Sequence, residues 1–255
     1  MIVGTAALAS LVGIGTLLVG AAIAWRWQVS KRVTAAVMAF GAGVLVATLA
    51  LELVTDANEA GGVWPVVMGF AAGAVLYVGG DSLVTRLAKR HRHPSHTPSG
   101  SRNPTAQRGG DSPGGGAPIA VGALLDGIPE AIVIGLAAAA GGFPVAIVAA
   151  IGLSNIPEGL AGTVPLKRSG RSAGFVVGLW GGITALAVLA TVVAVLFLQD
   201  APGATIAVIQ SIAAGALLAM VCNAMIPEAF DEDHWATGLI ATAGFLVAFA
   251  LGELL

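Results

Sequence analysis

Cysteine is almost absent from this chain of 255 residues. Cys222 stands alone, so neither an intrachain disulfide nor a cysteine-rich metal site can form. Charge is scarce as well: 10% of residues are Asp, Glu, Lys or Arg, and the formal net charge is −2. That balance points to neither nucleic acid nor an acidic surface as a partner. Alternating apolar and polar segments of about ten residues, the signature of a membrane barrel, are missing. The first apolar run, Ile2 to Trp25, has no basic segment before it and is too long for a signal-peptide core. It is expected to be a retained span. There is no nucleophile–base pair, and no metal-ligand set with an obvious hydrolytic partner, so an enzyme is not expected.

What is abundant is apolar surface: hydrophobic residues make up 56% of the chain. Apolar runs of about 20 residues recur, the length that crosses a bilayer as a helix. The sequence predicts an all-α polytopic membrane protein with eight spans, at about 2–25, 33–54, 63–84, 117–139, 142–164, 172–198, 203–229 and 236–255. The 36 glycines suit close helix approach in lipid, where small residues line helix interfaces. The chain reads as one membrane domain: spans 1–3 within 1–88, a polar insert at 89–116, and spans 4–8 within 117–255.

Every lysine and arginine falls in one of three loops. Arg26, Lys31 and Arg32 follow span 1; Arg86, Lys89, Arg90, Arg92, Arg102 and Arg108 follow span 3; Lys167, Arg168 and Arg171 follow span 5. With eight spans all three loops share one face, and the excess of Lys and Arg makes that face cytoplasmic, with both termini outside. The insert at 89–116 is rich in Gly, Pro, Ser and Arg and lacks apolar periodicity, so it is expected to be a disordered cytoplasmic loop. It carries His91, His93 and His96. One reading is a solvated linker. The other is a mobile metal-sampling loop, because imidazole is a common metal ligand.

Two short runs organise the rest: Asp126-Gly-Ile-Pro-Glu130 in span 4 and Ser154-Asn-Ile-Pro-Glu158 in span 5. Each proline removes a backbone donor and frees the carbonyl four residues earlier, at Leu125 and Leu153. Each is followed at once by a glutamate, and a carboxylate inside a span costs several kcal/mol. Asp126 and Glu130 lie four residues apart on one helix face; Asn155 and Glu158 lie three apart on another. If those faces meet, three carboxylates and an amide converge, with no intramembrane Lys or Arg to neutralise them. A divalent cation would do so. Each residue also admits a structural role: Asp126 as a bridge between helices, Asn155 as interhelical glue, Glu130 and Glu158 as buried polar groups.

Span 7 holds a third copy, Ile226-Pro227-Glu228, preceded by Asn223 and followed by the acidic turn Asp231, Glu232, Asp233 and His234. It reads either as an exit relay for a cation or as a helix-end break with a solvated turn. Glu52 and Asp56, at the outer end of span 2, read as cation-gathering groups or interfacial anchors. Aligning Ala42-Gly43 with Ala214-Gly215 brings Asp56 onto Glu228. Spans 1–3 and 6–8 then read as inverted repeats around a central span 4/5 pair, a pattern of secondary transporters with a midplane site.

On these motifs the chain resembles the ZIP (Zrt/Irt-like protein) family of divalent-metal transporters. The resemblance lies in the eight spans, the His-containing loop after span 3, Ala42-Gly43-Val44-Leu45, Ala214-Gly215-Ala216-Leu217, Ile226-Pro227-Glu228-Ala229 and the Pro-Glu motifs of spans 4 and 5. It implies metal uptake into the cytoplasm through a midplane site, with Ser154, Asn155 and Glu158 at the family's span 5 metal positions. It also implies a homodimer. The richness in Ala, Gly and Val looks bacterial, hence an expected location in the plasma (bacterial inner) membrane. Asp126 and Gly127 stand where the family's His-Asn pair is expected, and Thr184 where many bacterial members carry a glutamate. A site of oxygen ligands is harder than one with imidazole, which keeps manganese and iron beside zinc as substrates. The expected metal-site residues are Asp126, Glu130, Ser154, Asn155, Glu158, Asn223 and Glu228. No prosthetic group is expected. The competing classes are a proton- or sodium-coupled transporter of a small solute using the same carboxylates, and a non-transporting scaffold or metal sensor.

Overall fold

The structure is a computed structural model describing residues 1–90, 116–231 and 235–254. His91, His93 and His96, with nearly all of the insert expected at 89–116, lie outside the described residues, as do Glu232, Asp233 and His234. Among the described residues there is no strand, and eight helices are long and apolar enough to cross a membrane. The chain is an all-α polytopic membrane protein. The helices are α1 (Ile2–Arg26), α2 (Lys31–Gly61), α3 (Val63–Arg90), α4 (Gly116–Ala140), α5 (Val145–Arg168), α6 (Ala173–Leu198), α7 (Gly203–Ala229) and α8 (Thr237–Leu254).

Local chemistry marks several ends. Ser30 Oγ accepts the Val33 N–H at 3.3 Å and caps α2; Ser172 Oγ accepts the Phe175 N–H at 3.2 Å and caps α6. Gly62 alone separates α2 from α3, at φ +82°, a left-handed conformation that costs glycine little. Lys167, in the last turn of α5, donates from Nζ to the carbonyls of Ala24 and Trp25 and so closes the end of α1.

The helices pack as two groups. In one, α1 lies chiefly on α5 and α4 on α6, and α1 also contacts α4 and α6. In the other, α3 lies on α7 and α2 on α8. The groups meet where α2 crosses α5 and where α4 touches α7 and α3. Helices α4 and α5 meet each other over only a short stretch; α6 and α1 are their main partners.

The α3–α7 and α2–α8 pairs are built alike. A Cβ on Gly43 of α2 would strike the Ala241 carbonyl oxygen of α8, and one on Gly215 of α7 would strike that of Phe70 of α3. Backbone approach this close needs glycine. Helices α2 and α7 also share a local defect, a single π turn at Leu49–Leu53 and at Val221–Met225. The alignment that pairs Ala42-Gly43 with Ala214-Gly215 pairs these turns residue for residue, Leu49 with Val221 and Leu53 with Met225. Apolar similarity alone does not produce a coincident change of hydrogen-bond ladder, so the match between spans 2 and 7 is structural.

Candidate site in the helix interior

Pro129 sits inside α4 and Pro157 inside α5, and both helices continue through them. Side chains serve the carbonyls around the α5 proline. Thr16 Oγ1 of α1 donates to Gly152 O at 2.8 Å, and Ser154 Oγ and Asn155 Nδ2 each donate to Ile151 O at 2.9 Å. These bonds fall on carbonyls just before Pro157 and reinforce the helix beside the break; none of the three is to Leu153 O, the carbonyl that Pro157 frees. Thr191 of α6 does similar work on α4, donating to Ala131 O at 3.0 Å.

The two Pro-Glu helices meet at Glu130. Its carboxylate is wholly buried, and Oε2 accepts from Asn155 Nδ2 at 2.7 Å. The Asn155 amide is thereby shared between α4 and its own helix. Oε1 of Glu130 is buried with no hydrogen-bond partner, and so is Oε1 of Glu158. The Glu158 carboxyl lies within electrostatic range of Glu130, Asp126 and Glu228, and Glu130 within range of Asp126. Four carboxylates from α4, α5 and α7 thus share one interior region.

A cavity of about 50 Å³ adjoins them, lined by Asp126, Glu158, Met38, Met220, Met225 and Trp180 among others. Its other walls, Ile119 and Pro165, place it on the side of the basic helix ends. Trp180 is held by its Nε1–H donating to Thr163 Oγ1 at 2.8 Å. Toward the opposite end lies a larger cavity of about 560 Å³, with Asp56, Glu59, Gln210 and Val133 in its wall. Gln210 Nε2 donates to Leu53 O at 3.1 Å, on the π turn of α2. Along α4 the order is therefore Asp126 in the smaller cavity, Glu130 sealed between, and Val133 in the larger one.

The candidate residues do not all converge. Asp126, Glu130, Asn155, Glu158 and Glu228 belong to the interior region. Ser154 is fully buried, but its hydroxyl hydrogen is given to its own helix. Asn223 is exposed and is not part of the buried cluster. It lies in the π turn, whose extra residue rotates the register and turns Met225 inward instead. Thr184 is buried against the α1 bend at Gly15, and its hydroxyl donates to Trp180 O of its own helix at 2.9 Å. Among the described residues no three His, Cys, Asp or Glu side chains form a ready-made metal cage.

Sequence reasoning missed Tyr77, whose Oη donates to Asp126 Oδ1 at 3.0 Å, and the three buried methionines Met38, Met220 and Met225 of the cavity wall. The position of Tyr77 was the available signal. It extends the spacing of Gly69 and Gly73, the glycines of α3 that face α7. No known family model matches the chain, and no curated protein matches it.

Proposed function

We propose that the protein moves divalent transition-metal ions across a membrane, using Glu130, Glu158 and Asp126 as the transient binding groups. One observation carries this reading: two buried carboxylate oxygens, Glu130 Oε1 and Glu158 Oε1, come from separate helices and have no hydrogen-bond partner. A buried carboxylate is costly unless paired with a cation or a donor. No Lys or Arg lies in the apolar interior of the helices, so the neutralising charge has to be brought in. A dehydrating metal ion supplies it, with Asn155 and Glu228 at the margin. The motif resemblance to ZIP transporters supports zinc as substrate, and the oxygen-rich donor set keeps manganese and iron beside it. The positive-inside rule supports a cytoplasmic position for the basic helix ends, and with them the smaller cavity, with both termini outside, and the Ala/Gly/Val-rich composition supports a bacterial inner membrane.

In proteoliposomes, Glu130→Ala and Glu158→Ala are expected to abolish Zn²⁺, Mn²⁺ and Fe²⁺ uptake while eluting as the wild type does on size exclusion. Undiminished flux of all three ions in both variants would remove the reading. A second reading is favoured by the lack of a ready-made cage among the described residues: coupled transport of a small solute, with the same carboxylates carrying protons or sodium. Metal flux that persists after proton and sodium gradients are collapsed decides for the first.

A further inference from the structure

We propose that Tyr77 is a positioning residue for the carboxylate site, orienting Asp126 and coupling its occupancy to the contact between the two helix groups. This rests on the cation reading above. Helix α3 is largely unburied: Val75 is 72% exposed, Leu76 64% and Val78 44%. Tyr77, among them, is 3% exposed. It sits on the one stripe of α3 that faces protein. Gly69 and Gly73 on that stripe meet α7 at Val208 and Ile212, and Gly80 faces Leu125 of α4. The glycines let α3 approach closely, and Tyr77 extends from the same face to the Asp126 carboxylate at 3.0 Å.

Three consequences follow from that placement. A phenol buried in a span needs a polar partner, and the partner is a wall residue of the cavity beside Glu158. Metal-ligating carboxylates are commonly oriented by such an outer hydrogen bond, whose loss typically costs about 10–100-fold in metal affinity. The bond also bridges α3 of one helix group to α4 of the other, so a cation that draws on the Asp126 lone pairs alters a contact between the groups.

The test exploits the fact that Tyr77 is the only tyrosine in the chain. In the ultraviolet resonance Raman spectrum of the full-length protein, the tyrosine doublet reports this one hydroxyl. The doublet is expected to differ between the metal-free wild type and Asp126→Ala, and to shift when Zn²⁺ is titrated into the wild type. Tyr77→Phe is expected to bind Zn²⁺ about 10–100-fold more weakly, and the Tyr77→Phe/Asp126→Ala double variant no more weakly than Asp126→Ala alone. Identical doublets in wild type and Asp126→Ala, or wild-type affinity in Tyr77→Phe, would overturn the role of Tyr77 while leaving the cation reading intact. A wild type that binds neither Zn²⁺ nor Mn²⁺ would remove the cation reading and this proposal together. If Tyr77→Phe does not fold, the Raman comparison still decides.

Discussion

Asn155 shows how a single side chain supports the site. Its two amide hydrogens go to Glu130 Oε2 and Ile151 O, and the residue is 1% exposed. Asn155→Leu would strand Glu130 Oε2, while Ile151 O would keep the Ser154 hydroxyl. A loss of about 1–3 kcal/mol, more where the stranded group is charged, is expected in detergent thermal unfolding. Thr191→Val removes one hydroxyl-to-carbonyl bond to Ala131 and is expected to cost about 0.6 kcal/mol, the average for polar contacts between membrane helices. Equal effects of the two substitutions would mean that Asn155 is ordinary interhelical glue. Much at this scale was legible in the chain: repeated Ile-Pro-Glu marked two helices whose acids needed company. The outward turn of Asn223 was not, because a π turn shifts register without leaving a residue signature.

At the scale of the helices, the eight long apolar runs predicted the spans, since a bilayer demands continuous apolar length whatever the packing. Their limits were less legible. Helix α2, expected to end near 54, continues through the π turn to Gly61, because Glu52 and Asp56 lower local hydropathy without breaking the helix. Helix packing separates two kinds of glycine that look alike in the sequence. Gly215 lies against the Phe70 carbonyl with no room for a Cβ, whereas a Cβ on Gly127 would meet nothing within 4 Å. Gly215→Leu is expected to prevent recovery of a monodisperse protein. Gly127→Ala is expected to leave thermal stability unchanged or raise it by up to about 1 kcal/mol, the helix-propensity difference. If both purify and melt like the wild type, the close α3–α7 approach is not a requirement of the fold.

For the whole molecule, the orientation proposed above rests on the sequence alone, in which every Lys and Arg follows span 1, 3 or 5. Cys222 is exposed and is the only cysteine, so Cys222→Ser provides a clean background for reporters. In that background Gln199→Cys is expected to react with a membrane-impermeant maleimide on intact cells, and Ser169→Cys only after permeabilisation. The reverse pattern would invert the topology and the direction of uptake. Neither the division into two helix groups nor the two cavities was legible in the sequence, because both arise from which helix faces meet, and nearly every face here is apolar.

The spacing of groups along α4 has a further, electrical implication. Only about one helical turn separates Asp126 in one cavity from Glu130, and about another separates Glu130 from Val133 in the second cavity. Wherever those cavities hydrate, the transmembrane voltage drops across that short plug instead of the full bilayer. A charge crossing it takes up about 2.3 kcal/mol per 100 mV, and a doubly charged ion twice as much. Uptake into vesicles clamped with potassium and valinomycin is therefore expected to rise steeply as the lumen is made negative.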